Sequence, residues 1–403
     1  MIFKELNFVP VLLGNDINSY SLARAFYEAY GIKSIMIGKY QSGPNQHSRL
    51  IDFRVNPQLD QDRTFLEIVG ELADELKGKK VLLIGCGDSY VSLISRQKNR
   101  LPSNFIAPYI DYGLMSELVK KDKFYEQCEK YGIAYPKTFI YRQELGNNFN
   151  LPFSYPVIVK PADSVAYWQH PFTNQHKVYR AKNEEEFKKI VTDIYGAGYS
   201  EALVVQDFIP GDDTEMRVLT CYSDRHGRVK LMALGHVLLE EHTPHGLGNH
   251  AAIINDYDER LLAKVKNFLE AIGYVGFSNF DLKYDQRDGE YKCFEINTRQ
   301  GRSNYYVTGA GANLAKYVVE DFVYQHELDY QDRLDPRLWL VIPKLIVFKY
   351  VKSEVLQQKV RELIKNKKIV NPLFYAGDFG LKRLLYLGRL HLSHFGKYRK
   401  YYK

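Results

Sequence analysis

Two acidic side chains and an amide recur here at spacings that suit a hard divalent cation. Asn279-Phe280-Asp281-Leu282-Lys283-Tyr284 is followed, after a turn at Asp288-Gly289, by Tyr291-Lys292-Cys293-Phe294-Glu295-Ile296-Asn297-Thr298-Arg299. Two strands joined by that turn would set Asp281 beside Glu295, while Glu295 and Asn297, two apart on one strand, share a face. Magnesium takes few oxygens from protein and keeps waters and phosphate oxygens, so two carboxylates and an amide suit it. Arg299, two residues further on, adds a fixed planar charge toward the same phosphates. Solvated acids on an ordinary hairpin are the plain alternative. Against it, phenylalanine and isoleucine alternate with the polar residues, so the polar side chains share one face.

A phosphate site also needs cations, and a nucleotide base needs an apolar slot with backbone donors and acceptors. Lys160 closes the apolar run 155–161, and Lys123 lies one helix earlier. Gln206-Asp207-Phe208-Ile209, at the end of a strand before Pro210-Gly211, offers the slot. Arg217, on the following strand, is a candidate phosphate or substrate ligand. Asn15 and Asp16, with Asn18 and Ser19, stand where a strand hands over to a helix, a position suited to binding a carboxylate through backbone N–H groups. Asp88 and Ser89 hold the equivalent place after a second strand; helix capping explains both sets equally well. Residues 235–249, rich in glycine and histidine, read as a mobile loop, with His236, Glu240, Glu241, His242 and His245 as candidate bases. Neither a Ser/His nor a Cys/His dyad is legible.

The elements that must position these groups alternate. Residues 8–14 read as a buried strand and 19–30 as a helix; 81–84 and 90–96 repeat the unit, which implies a mainly parallel sheet. Gly85-x-Gly87 lacks the third glycine of a dinucleotide fingerprint. Helices are expected over 121–131, 183–195 and 259–272, a strand over 202–209, strand-rich chain from 216 to 294, and helical pattern in the final ~75 residues. At 403 residues, 45% hydrophobic and 26% charged, the chain should fold as two or three globular domains. Its four cysteines form no CxxC pair, which excludes a disulfide framework and a zinc knuckle and makes a reducing compartment the expectation. Neither an export signal nor a bilayer-spanning run of ~20 apolar residues is read.

The net charge of +7 is local: residues 381–403 carry seven Lys or Arg and no acid, leaving 48 of each sign elsewhere. A basic nucleic-acid-binding surface is therefore not expected. Leu381, Leu384, Leu385, Leu387, Leu390 and Leu392 among those cations suit either an amphipathic helix at an anionic membrane or a terminal helix packed on the body.

The order Lys123, Lys160, Gln206 to Gly211, then Asp281, Glu295, Asn297 and Arg299 resembles the ATP-grasp superfamily of carboxylate–amine ligases. With Leu12 to Asp16, Pro108 to Tyr112, Gln206 to Asp213 and Glu295 to Ser303, the whole chain resembles the D-aspartate ligases of Gram-positive bacteria. The resemblance implies an α/β fold: a Rossmann-like parallel-sheet domain over 1–118, an ATP-grasp domain over 119–328 divided near 210, and a helical basic extension over 329–403. It implies ATP and magnesium as cofactors, D-aspartate and a peptidoglycan precursor stem peptide as substrates, and a cytoplasmic enzyme; for the basic tail a terminal helix packed on the body is the plainer reading and peripheral contact with the membrane the other. Lys123 and Lys160 would hold ATP phosphates, Gln206, Asp207, Phe208 and Ile209 the adenine, and Asp213 the ribose, with Lys283 also on the nucleotide. Asp281, Glu295 and Asn297 match the magnesium ligands. Arg299, Lys160 and Arg217 would serve the transfer. Gly301, Arg302 and Ser303, with Asn15, Asp16, Asp88 and Ser89, would take the substrates. Asp207 departs from the usual glutamate of the hinge. The other readings are an ATP-grasp ligase for different substrates and an inactive nucleotide-binding regulatory protein.

Overall fold

The computed structural model describes residues 6–244 and 246–402, so His245 and Lys403 lie outside the described residues. Strands β1 (Phe8–Leu13), β2 (Ser34–Gly38), β3 (Ile51–Val55), β4 (Lys80–Gly85) and β5 (Phe105–Ile106) form a parallel sheet ordered β3-β2-β1-β4-β5. Parallel neighbours need crossovers, and the helices Ile17–Tyr30, Asp62–Glu75 and Asp88–Gln97 supply them. Helices on both faces explain why β1 and β4 read as nearly unbroken apolar runs. Asp16 starts the first helix by accepting N–H bonds from Asn18 and Ser19, and Gly31 ends it in the left-handed conformation.

A second, antiparallel sheet, β6-β9-β7-β8, contains β6 (Thr138–Tyr141), β7 (Val157–Pro161), β8 (Tyr179–Ala181) and β9 (Leu203–Asp207). It has its own core, in which Tyr141, Val157, Val159 and Val205 meet Phe187 and Ile194 of the helix Glu184–Gly196.

The third sheet runs β14-β13-β10-β11-β12-β15-β16. Its strands are β10 (Met216–Ser223), β11 (Val229–Glu240), β12 (His250–Asp256), β13 (Gly276–Asp285), β14 (Glu290–Asn297), β15 (Leu338–Leu340) and β16 (Ile369–Val370). Alternation sends Leu219, Met232 and Phe280 to one face, against Val265 and Phe268 of the helix Glu259–Ala271. Val218, Ala233 and Ile253 face the other way, where they join Tyr306, Trp339 and the first helix's Phe26. The first and third sheets thus share two cores. The segment read as a helical extension contributes β15 and β16 to this sheet as well as the helix Leu381–Tyr401. β11 is longer than expected: what reads as loop from residue 235 is strand to Glu240, and the turn begins at Glu241.

The last helix is tied to the amino-terminal sheet through buried charge. Arg383 and Asp378, both nearly solvent-free, approach to 3.0 Å, and Arg383 donates to the carbonyls of Pro44 and Gln46. Asp378 also accepts from Tyr20 Oη (2.8 Å), Ser48 Oγ (2.8 Å) and Arg49 N (2.6 Å). Asp378→Ala would leave the guanidinium buried without its counter-ion and is expected to lower unfolding free energy by about 3–5 kcal/mol in urea titration.

Candidate functional site

The β13–β14 hairpin sets Asp281 opposite Glu295 and Asn279 opposite Asn297. Opposed residues of an antiparallel pair lie on one face, so all four converge. Asn297 Nδ2 donates to Asp281 Oδ2 (3.1 Å), Asn279 Nδ2 reaches Asp281 Oδ1 (3.4 Å), and Arg299 Nη2 donates to Asn297 Oδ1 (3.2 Å). Burial, and after it the charge of Glu295, pushes Asp281 well above the usual carboxylate range. Glu295 is held below it by Lys121, whose ammonium lies 2.8 Å from Oε2. Two carboxylates and an amide oxygen are hard donors, the set that suits magnesium.

A cavity of about 560 Å³ opens beside this hairpin, with walls from all three sheets. Asp88 comes from the first sheet's side, Lys160, Gln206, Asp207 and Phe208 from the second, and Met216, Glu240, Asp281, Lys283, Glu295 and Asn297 from the third. Burial, with the charge of Lys121 second, brings the Lys160 ammonium down to about 7. Ile209 also lines the wall, while Lys283 donates to Gly211 O at 2.9 Å and lies over the Phe208 ring. The hinge side chains are engaged elsewhere. Gln206 donates to Tyr125 Oη (2.8 Å) and Thr138 Oγ1 (2.9 Å), and Asp207 pairs with Arg287 at 2.8 Å. What this segment offers a planar base is therefore backbone and the Phe208 ring.

Lys123, Arg217 and Asp213 stand outside the cavity lining, as do Arg299 and the expected substrate residues other than Asp88. Lys123 is exposed and pairs with Glu126 at 2.9 Å; Lys121, at the start of the same helix, reaches Glu295 instead. Arg217 is opposite Leu282 and His236 in the sheet register, hence on the face away from Asp281. It pairs with Asp256 (3.2 Å), donates to Thr214 O and Met216 O, and lines a separate cavity of about 340 Å³. His236 shares that face, bonded to Thr214 O. Asp213 is used by the strand end, accepting from Glu240 N (2.9 Å) and His242 Nε2 (2.9 Å). Tyr398 of the last helix donates to Glu240 O at 2.6 Å, and Tyr402 packs on the His242 ring. Glu240 lines the cavity with Oε1 buried and without a hydrogen-bond partner among the described residues. Burial, then the charge of Asp213, pushes its carboxyl up to about 8.

The expected substrate residues divide. Asp88 holds Arg299 through two bonds of 2.7 and 2.9 Å, and Ser89 is exposed. Asp16 caps its helix and Asn15 donates to Tyr40 O. Asn18 Nδ2 reaches Gln300 O (3.2 Å) and its Oδ1 accepts from Asn304 (2.8 Å), locking the first sheet's helix onto the chain after β14. Gly301 is glycine because a Cβ there would stand 2.4 Å from Asn279 Oδ1. Arg302 pairs with Glu241 (3.1 Å) but keeps Nη1 buried and unpartnered among the described residues, and Ser303 Oγ lies 3.4 Å from His250 Nδ1. Lys177, a further cavity cation, sits in a connection with no motif around it.

Solved structures share this arrangement of sheets. The biotin carboxylase domain of Hydrogenobacter thermophilus 2-oxoglutarate carboxylase matches with a TM-score of 0.60 and 15% identity, over 80% of this chain and 71% of that one. L-amino acid ligase from Bacillus licheniformis matches with a TM-score of 0.51 and 15% identity, over 79% and 71%. At these identities the likeness is one of fold, the ATP-grasp fold. No protein-family model matches the chain. Sequence carries the comparison further: the D-aspartate ligase of Enterococcus faecium (strain Aus0004) is 44% identical over 407 residues, covering 98% of this chain and 97% of its own length. The chain belongs to the D-aspartate ligase family. It is accordingly an ATP-grasp ligase, and the expected α/β class with an amino-terminal parallel sheet holds.

Within this D-aspartate ligase family member, Lys121→Ala is expected to lower ligase turnover by about 100-fold or more, because it removes the half-buried cation paired with Glu295 in the cavity wall, while Lys123→Ala leaves it within about twofold. Glu295→Ala and Asn297→Ala should abolish turnover with far-UV circular dichroism unchanged. Retained activity in either would remove that side chain from the expected metal ligands. Arg217→Ala should alter thermal unfolding more than the KM for ATP.

Proposed function

We propose that the enzyme joins the β-carboxylate of D-aspartate to the lysine ε-amine of a peptidoglycan precursor stem peptide, with cleavage of ATP. The observation that carries this reading is the 44% identity to a D-aspartate ligase over almost the full length of both chains. A carboxylate is a weak electrophile, so it first takes the γ-phosphoryl group of ATP, releasing ADP and leaving an acyl phosphate; the amine then attacks the acyl carbon, inorganic phosphate leaves with the C–O bonding pair, and the amine gives up a proton as the amide forms. Both steps concentrate negative charge, and preorganised cations are the largest source of stabilisation for it.

Lys121, Lys160 and Lys177 are assigned to the phosphates, and Arg299, fixed by Asp88, to the transferring group. Asp281, Glu295 and Asn297 would hold magnesium, which when bound screens the phosphate charge as a Lewis acid. The backbone from Gln206 to Ile209, with the Phe208 ring and Lys283, is assigned to the adenine. Glu240 takes the place expected of Asp213 at the ribose, because it lines the cavity beside the hinge while Asp213 is bonded to the strand end. Arg302, with Nη1 unpartnered among the described residues, is assigned to the carboxylate that D-aspartate keeps free. The basic carboxyl-terminal segment brings the enzyme into peripheral contact with an anionic membrane, supported by its seven cations and lack of acids. Among the described residues no helix is long and apolar enough to cross one.

Phosphate release from magnesium ATP, with a lysine-containing muropeptide precursor and in turn D-aspartate, L-aspartate, glycine and D-alanine, tests the reading. Release is expected only with D-aspartate and precursor together, with a product heavier by one aspartyl residue. Release with a different amino acid keeps the chemistry and overturns the substrate. Glu240→Gln should raise the KM for ATP several-fold while leaving kcat within about twofold; a loss confined to kcat removes it from the ribose.

A further inference from the structure

The helix Leu381–Tyr401 has two unlike sides. Arg383, Leu387, His394 and Tyr398 are buried against the body. At 100° per residue the opposite side gathers Leu381, Leu385 and Leu392, which keep 69%, 67% and 64% of their surface exposed, with Leu384 and Phe395 beside them. Phe379, two residues before the helix, is 60% exposed. Single exposed leucines are ordinary on a protein surface, whereas several large apolar side chains exposed on one side of the same helix, here between Leu381 and Phe395, mark a contact surface.

Charge says what the contact is. Lys382, Arg389, Arg399 and Lys400 are exposed along the same side, and residues 381–403 hold no Asp or Glu. A second copy docking isologously would set these cations against their own equivalents. A surface of anionic headgroups over acyl chains answers both features at once: the leucines enter the apolar boundary and the cations meet the phosphates.

We infer that this side of the helix lies in the plane of an anionic phospholipid surface, with Leu381, Leu385 and Leu392 inserted and Lys382, Arg389, Arg399 and Lys400 at headgroup level. The inference rests on the membrane contact proposed for the enzyme and adds the side chains and the face that make it. Apolar insertion distinguishes it from a purely ionic tail, because part of the affinity then survives salt. The inner face is unaffected by such docking: Tyr398 still holds Glu240 O and Tyr402 still packs on His242.

Sedimentation of the full chain with vesicles decides the matter, using phosphatidylcholine alone and an equimolar mixture of phosphatidylcholine and phosphatidylglycerol. The protein is expected to bind the mixed vesicles and not the neutral ones. Leu381→Ser, Leu385→Ser and Leu392→Ser together should lower the partition coefficient by about tenfold or more, with near-UV circular dichroism unchanged. Lys382→Gln with Arg389→Gln should also weaken binding, and the binding that remains should depend less on salt. Equal binding to both vesicles, a triple variant that binds like the parent, or a dimer in light scattering that the triple variant abolishes would each overturn the inference. Ligase turnover is measured separately, on a soluble acceptor without vesicles, and the triple variant should match the parent. A parent that sediments with mixed vesicles but turns over no D-aspartate loses the substrate reading and keeps the docking face; a parent that turns over and does not sediment loses the docking face alone.

Discussion

Two carboxylates face one another across the β13–β14 hairpin, and much of the molecule is arranged around that like-charge pair. Asp281 and Glu295 occupy directly opposed positions, which is unfavourable for two anions unless cations or hydrogen-bond donors stand close. Much of the compensation comes from far along the chain: Lys121 from the helix before the second sheet and Lys160 from β7, while Arg299, just after β14, is clamped by the distant Asp88 of the first. Asn297 and Asn279 supply the nearest donors. Three sheets must therefore meet at one hairpin, and the cavity is the space left where they do.

Strand register then decides which side chains take part. β10 pairs with β13 so that Val218, not Arg217, is opposite Asp281. A one-residue difference transfers a guanidinium from the face of Asp281 to a second cavity, where it pairs with Asp256. The same alternation puts Met216 and Lys283 on the cavity wall and His236 behind it. Asp213, which looked like a ligand for sugar, is a fastening between the turn after the hinge and the end of β11, shared with His242 and backed by Tyr398 of the last helix and Tyr402 just beyond it.

What was legible in the sequence was local. A hairpin of alternating character shows its turn, its face and its oxygen donors within 20 residues, so Asp281, Glu295, Asn297 and Arg299 could be read together. The alternating strand and helix units of the first sheet were equally plain. Lys121 and Lys123 were harder to tell apart, since both lie in the first turn of one helix and only packing against β14 chooses between them. Lys177 carries no motif. Arg217 needed the register of a neighbouring strand, and the addition of β15 to the third sheet, which β16 then extends, needed a pairing across more than 80 residues. Glu240 was visible as a candidate base, but its place beside the hinge depends on Asp213 and Tyr398, contacts made 27 and 158 residues away.

The bonds from Asn18 to Gln300 and Asn304 span 282 and 286 residues of chain. Contacts so distant are closed only after the sheets they join have formed, because the entropy of the loop is lost before the bonds reward it. The wall between the first helix and the chain after β14 is therefore a late event in folding. An early compact species could contain a finished parallel sheet and a finished hairpin and still lack the bonds that lock one to the other.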